Sequence, residues 1–151
     1  MAKTWGTPTW YFFHSLAEHI NEDFYKHNKD TIKDYIIKIC TNLPCYECTK
    51  HAKQYIRYNL NSNSIGDKEK LKTFFFKFHN AVNKRIQKPE FTDFDKYKRA
   101  NLIQVYNQFK HVFTRNSSLE KGFCDSLNRR NIIHSLDIFF KHNKANFKWY
   151  A

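Results

Sequence analysis

Glycine and proline are scarce in this chain, with three of each among 151 residues. A β-sandwich or β-barrel needs many turn residues between its short strands, so this scarcity argues against an all-β fold. No window approaches the roughly 18 apolar residues that a membrane-spanning helix needs, and the first residues lack the basic-then-apolar pattern of a secretory signal. The sequence therefore predicts a soluble protein without a membrane span.

Arginine is also scarce, because the net charge of +12 comes from 20 lysines and only six arginines. Sequence-specific readers of nucleic acid depend on the bidentate arginine fork, so this balance favours a generally basic surface. Fifteen Phe, nine Tyr and three Trp can bury a large core, which excludes a disordered tail. We expect one folded domain for which nucleic acid is an unlikely main partner.

Apolar residues recur every three or four positions in six segments, the spacing of buried helix faces. The first predicted helix runs from about Pro8 to Phe24, and the second follows Asp30 and stops at Pro44. The other stripes predict helices over about residues 45–60, 67–86, 95–112 and 127–139. No segment alternates strongly enough to predict a strand. The expected fold class is an all-α bundle of four to six helices.

Only four cysteines are present, and only Cys45 and Cys48 stand close enough to form a motif. A C-x-x-C pair at a helix start can open and close reversibly, because the helix N-terminus stabilises a thiolate. Half of a zinc site and two unconnected buried thiols are the alternatives. Structural zinc normally uses two ligand pairs, and beyond this pair only single candidates such as His51, Cys40 or His79 are available. The spacing favours a redox dithiol.

The predicted fourth helix carries a polar face over residues 79–84, with an imidazole, two carboxamides and an ammonium close together. These groups can bind the edge of an adenine or flavin and a diphosphate. Each histidine taken alone is more simply a satisfied or exposed side chain. With His14 beside Trp10 on the first helix, the pattern indicates a cofactor cavity inside the bundle.

Three separated motifs resemble, in order and spacing, those of the Erv/ALR family of FAD-linked sulfhydryl oxidases. They are residues 5–14 (WGTPTWYFFH), 43–51 (LPCYECTKH) and 79–89 (HNAVNKRIQKP). The resemblance covers roughly residues 5–99. The Leu-Pro-Cys opening of the second motif is most similar to the versions encoded by large DNA viruses.

The resemblance implies a four-helix bundle that cradles FAD, followed by a short fifth helix. Residues 1–100 would form this FAD-binding domain. Residues 101–151 would form a helical C-terminal extension of one or two extra helices, packed on the same domain. Members of the family are usually homodimers, so a homodimer is expected.

The resemblance also implies a thiol oxidase that makes disulfides in protein substrates. Cys45 would exchange with the substrate dithiol and Cys48 would lie against the flavin, so that electrons pass to FAD and then to O2, giving H2O2. The partner would be a thiol-containing protein, with a thioredoxin-like carrier as the natural candidate. In a virus this relay would form disulfides in virion proteins, in the host cytoplasm or the virion.

The cofactor-binding residues implied by the match come from the three motifs and the segment that follows them. They are Gly6, Thr9, Trp10, His14, His51, His79, Asn80, Val82, Asn83, Lys84, Lys88 and Arg99. Trp10 and His79 are expected to stack on the adenine side, with lysine charge near the diphosphate. Ala100 replaces an aromatic residue that the family often has, and Tyr97 is the candidate substitute.

Two cysteines stay outside these roles. Cys40 lies on the buried side of the second helix and is expected to be a packed thiol. Cys124 is expected to be inert. The alternative function is that of a non-catalytic basic helical scaffold or nucleic-acid-binding module. A small zinc-stabilised bundle is a third possibility, which metal analysis of the purified protein would reveal.

Overall fold

The structure is a computed structural model that describes residues 5–115 and 120–150, without the side chains of residues 120–125. These ranges contain no strand, and one isolated β-bridge joins Ile20 to Phe147. The predicted all-α fold class is confirmed. Six α-helices follow one another within these ranges: α1 (Gly6–His19), α2 (Glu22–Cys40), α3 (Tyr46–Asn59), α4 (Lys68–Arg85), α5 (Leu102–Phe113) and α6 (Glu120–His142).

Polar side chains mark the starts of several helices. Asn21, Asp67 and Asn101 precede α2, α4 and α5, and each side chain accepts a hydrogen bond from the backbone N–H three residues later. These bonds satisfy N–H groups that have no partner inside the helix. The cap at Asp67 agrees with the predicted start of α4. The predicted start of α3, near residue 45, also agrees with the structure.

The first predicted helix is too long, because α1 ends at His19 and α2 begins at Glu22. Ile20 and Asn21 are extended, and Asn21 N–H donates to the carbonyl of Asn146 at 2.8 Å. The break thus depends on pairing with a segment more than 120 residues away. The boundary expected near residue 30 is instead a kink inside α2 at Asn28, where φ is −121° and ψ is 19°.

The helix expected from about residue 95 is divided in two. A 3-10 helix covers Lys96–Arg99, and α5 starts only after the Asn101 cap. Ala100 between them is extended. In contrast, α6 begins at Glu120, earlier than the expected residue 127.

Helix α1 lies between α4 and α5 and is buried on both sides. Phe13 stacks on Phe75 of α4, with 4.9 Å between the ring centroids. Its neighbour Phe12 stacks on Phe109 of α5, with 4.5 Å between the ring centroids. All four rings are almost completely buried, and each contributes about 1.5–3 kcal/mol through burial. This packing fixes the position of the polar side chains that α1 carries.

Helix α6 packs along α2, with its C-terminal end near the start of α2. The hydroxyl groups of Tyr35 and Ser135 are 2.8 Å apart, and the ring centroids of Phe139 and Phe24 are 6.0 Å apart. The disulfide-bearing segment follows the other end of α2. Within the described residues, no helix is both long and apolar enough to cross a membrane.

Candidate active site

Helix α3 begins at a disulfide between Cys45 and Cys48, whose Cα atoms are 5.2 Å apart. Cys45 is the N-cap, with extended backbone, and its sulfur accepts a hydrogen bond from Cys48 N–H at 3.2 Å. Pro44 disfavours helical backbone at Leu43, the residue before it, which keeps α3 separate from α2. The N–H groups of the first turn favour thiolates when the bond opens.

The two sulfur-bearing residues differ in exposure. Cys48 is only 7% exposed, whereas Cys45 is half-buried and is followed by the highly exposed Tyr46. A thiol arriving from solvent therefore reaches Cys45 more readily than Cys48.

A cavity of about 240 Å³ lies against Cys48. It is bounded by the start of α1, the end of α2, α3, and the second half of α4 with the residues after it. Cys45 does not line it. Seven of the predicted cofactor residues do: Gly6, Thr9, Trp10, His79, Val82, Asn83 and Lys88.

Trp10 and His79, which line this cavity, belong to a stack of three rings whose third member is Phe91. The rings of Trp10 and His79 are 4.4 Å apart and inclined by 7°, and the rings of His79 and Phe91 are 4.9 Å apart and inclined by 17°. His79 is therefore held between the other two. Trp10 and His79 were expected to stack on an adenine, but here these two rings stack on each other.

His14 lies behind this stack and lines neither of the two cavities described here. Its Nε2 is 2.9 Å from Nδ1 of His79, and its ring stacks on Tyr97 at 4.4 Å. Burial, with the nearby His79 and Lys96, lowers the pKa of His14 to about 2. Burial, with Lys88 and Lys96, lowers the pKa of His79 to about 4. Both imidazoles are neutral at pH 7, so one can donate to the other.

The carboxamides of Asn80 and Asn83 hold the segment that follows α4. Asn80 donates to the carbonyl of Phe91 at 3.1 Å and accepts from its N–H at 2.7 Å. Asn83 donates to the carbonyl of Pro89 at 3.2 Å. The chain turns back at Gln87, whose φ of 60° is in the left-handed region. Both amides, predicted as cofactor ligands, thus position a loop.

A second cavity, of about 960 Å³, lies between α4 and the segment after it. Five lysines line it together with Phe76, Phe94 and Asn80: Lys72, Lys77, Lys84, Lys88 and Lys98. Lys88 lines both cavities. The sequence motifs did not indicate this cavity, because Lys72, Lys77 and Lys98 lie outside them.

The other predicted residues lie elsewhere. His51 is bonded to the carbonyl of Glu47 at 2.7 Å, and Arg99 is exposed at the end of a 3-10 helix. Neither lines either of these two cavities. Tyr97, the suggested adenine contact, is 2% exposed and packs on His14.

Cys40, which the sequence did not place in the site, lines the cavity beside Cys48. It is a buried free thiol, and burial raises its pKa to about 12. The side chain of Cys124 lies outside the described residues. Among the described residues, no three His, Cys, Asp or Glu side chains are grouped so that they could hold a metal ion.

A family model described as the Erv1 / Alr family matches residues 7–102. A "putative FAD-linked sulfhydryl oxidase" of Invertebrate iridescent virus 3 is 33% identical over 99 residues, 64% of this chain and 67% of that protein. The FAD-linked sulfhydryl oxidase of African swine fever virus (isolate Tick/Malawi) is 26% identical over 71% of this chain and 87% of its own length. That of Arabidopsis thaliana is 30% identical over 55% of this chain and 42% of its own length. No solved structure matches the chain significantly.

Proposed function

Because the chain belongs to the Erv1/Alr family, we propose that it is a FAD-linked thiol oxidase that makes disulfides through Cys45 and Cys48. One observation carries the assignment of the two cysteines. Cys48 forms part of a cavity wall, whereas Cys45 lies outside that cavity and is the more exposed of the two. The pair thus connects a surface that substrates can reach with an interior site.

Substrate oxidation begins at Cys45. A substrate thiolate attacks the Cys45 sulfur, the bond between Cys45 and Cys48 breaks, and Cys48 leaves as a thiolate. The second substrate thiolate then attacks the substrate sulfur of the mixed disulfide and releases Cys45. The substrate has lost two electrons and two protons, and the pair has gained two electrons as a dithiol. The N–H groups at the start of α3 stabilise the thiolates.

The cavity beside Cys48, at about 240 Å³, has the size of the ring system of a flavin and not of a whole FAD molecule. Its wall is largely aromatic and aliphatic, with Trp10, Phe78 and Val82. Arg85 and Lys88 add positive charge suited to a diphosphate. We assign FAD binding to the residues that line this cavity, with Lys84 in the neighbouring one. The chemistry that FAD supplies when bound is acceptance of two electrons from the reduced pair and their delivery to O2, as H2O2.

His14 and Asn80 have supporting roles in this assignment. His14 fixes the ring of His79 from behind, and Asn80 fixes the backbone of Phe91. Neither needs to touch the cofactor to affect its binding. His51 and Arg99 have no contact with either cavity, and we give them no role.

A thiol-containing protein is the proposed substrate, presented by a thioredoxin-like carrier or acting directly. Several relatives come from large DNA viruses, which supports a relay that forms disulfides in virion proteins in the host cytoplasm or the virion. The stacking of Phe12 on Phe109 supports residues 101–151 as an extension of the same domain. The homodimer expected from the family would then have to form through a surface other than the face of α1 that α5 covers.

Oxygen consumption with dithiothreitol tests the proposed function. The wild-type protein loaded with FAD should consume oxygen and form peroxide, and a Cys45→Ser variant should lose at least 99% of this rate, because the exchange has no disulfide to open. A Cys124→Ser variant is the matched control and should keep the activity, because Cys124 is expected to be inert. A Cys45→Ser variant with the wild-type rate would overturn the proposal.

A further inference from the structure

The exposed face of α3 begins at the disulfide and is positively charged. Tyr46, Lys50, Lys53 and Arg57 follow at steps of four, three and four residues, so they lie along one face of the helix. All four are exposed, and Tyr46, directly after Cys45, is 82% exposed. We call these four residues the α3 stripe. It begins next to the sulfur at which substrates enter.

The charges of the α3 stripe are available to a partner. None of its three cations forms an ion pair within the described part of the chain, whereas Lys72 is 2.9 Å from Glu18 and Lys98 is 2.8 Å from Asp95. The one acidic residue on α3 is Glu47, in its first turn. The helix therefore carries an excess of positive charge directed at solvent.

We propose that the α3 stripe docks an acidic segment that lies beside the reactive cysteine of the protein substrate. The inference rests on the proposed function, since it takes Cys45 as the point of exchange. The stripe spans twelve residues, whose eleven helical steps cover about 16 Å, which is the length of about five residues of extended chain. When the substrate cysteine is at Cys45, the residues next to that cysteine would contact Tyr46. The acidic residues that follow in the substrate would then lie along Lys50, Lys53 and Arg57.

Charge and position together favour an acidic polypeptide. The three cations match carboxylates in charge, and the stripe starts at a disulfide whose chemistry requires a thiol, which a nucleic acid does not bring. Because the charges are exposed, they should act mainly on encounter and orientation, and salt should weaken them.

Two short synthetic dithiol peptides test the proposal. They share one sequence, except that three Glu follow the first cysteine in the acidic peptide and three Gln follow it in the neutral peptide. The readout is the ratio of their kcat/KM values, from oxygen consumption by the FAD-loaded full chain. At low ionic strength we expect the wild type to prefer the acidic peptide by about tenfold, and this ratio should approach one at high salt.

Matched variants locate the effect. The triple variant Lys50→Gln, Lys53→Gln, Arg57→Gln should lower the ratio to about one. The control triple variant Lys141→Gln, Lys144→Gln, Lys148→Gln removes the same charge near the other end of α2 and should keep the wild-type ratio. The charge-reversed variant Lys50→Glu, Lys53→Glu, Arg57→Glu should instead prefer a peptide with three Lys.

The outcomes separate this inference from the proposed function. A wild type that oxidises dithiothreitol and both peptides with equal kcat/KM would overturn the docking inference alone. A wild type that does not oxidise dithiothreitol would overturn both. If the two triple variants lower the ratio of kcat/KM values equally, the preference comes from the general positive charge of the protein. That result would overturn the docking role of the α3 stripe. Retention on duplex DNA that only the stripe variant loses, with an unchanged peptide ratio, would assign this face to nucleic acid.

Discussion

Nε2 of His14 lies 2.9 Å from Nδ1 of His79, so a fully buried side chain of α1 orients a ring that lines the cavity beside the disulfide. Phe91 and Trp10 hold the same ring from its two faces. The position of His79 is therefore determined by three contacts from three different segments. This arrangement makes the cavity wall sensitive to changes that do not touch the cavity.

A His14→Phe variant should keep the stacking on Tyr97 but lose the hydrogen bond to His79. Leaving Nδ1 of the half-buried His79 without this partner should lower the free energy of unfolding by about 1 kcal/mol. Urea unfolding measures this change. The control His111→Phe, at an exposed position of α5, should change stability by no more than about 0.5 kcal/mol. Equal midpoints for the wild type and His14→Phe would contradict the role of His14.

The same pair predicts a loss of stability in acid. In the folded protein the pKa of His14 is about 2 and that of His79 about 4, both lowered mainly by burial, against about 6.5 in an unfolded chain. Between these values the unfolded chain binds more protons, so stability is complete above pH 6.5 and falls as the pH drops towards 4. Urea midpoints between pH 7.5 and 4.5 should show this slope, and it should be smaller in His14→Phe. An identical slope in both proteins would show that other groups cause it.

An Asn80→Ala variant should release the segment after α4, because Phe91 loses both backbone hydrogen bonds. Two such bonds are worth about 1–3 kcal/mol together. We expect faster cleavage by chymotrypsin at Phe91 and Phe94, and weaker retention of FAD because the ring of Phe91 no longer supports His79. The control is Asn107→Ala, on the exposed side of α5. Unchanged cleavage in Asn80→Ala would show that the segment is held by other contacts.

Tyr46 gives a prediction on substrate binding. Its ring is exposed next to Cys45 and has no packing role within the described residues, so a Tyr46→Ala variant should fold normally. Loss of a contact between this ring and the substrate should cost about 0.5–1.5 kcal/mol, or about a twofold to twelvefold fall in kcat/KM with the neutral dithiol peptide. Tyr58→Ala removes an equally exposed tyrosine far along the same helix and should have no such effect. Equal falls in the two variants would contradict a specific contact.

Local patterns were sufficient for some elements of the fold. Asp67 and Pro44 mark the starts of α4 and α3 through capping and backbone restriction, both of which act within a few residues. The break at Ile20 was not predictable in this way, since it depends on the backbone of Phe147 and Asn146. Apolar spacing continues across it and gives no signal.

The candidate site shows the same division. The motifs identified the wall of the cavity, because residues such as Trp10, His79 and Val82 belong to recognisable segments. The position of His14 behind His79 depends on how α1 packs against α4, and the use of Asn80 depends on the reversal at Gln87. Spacing along a helix shows which residues share a face, but not what the following chain places against that face.

The most direct test of the central claim is the visible absorption spectrum of the purified protein during anaerobic titration with dithiothreitol. We expect flavin bands near one FAD per chain, bleached by the dithiol in the wild type and retained but not bleached in a Cys48→Ala variant, because Cys48 is the member of the redox pair that lies on the cavity wall. A protein that neither contains nor binds FAD would contradict the account. Equally fast bleaching in the Cys48→Ala variant would contradict the role of Cys48.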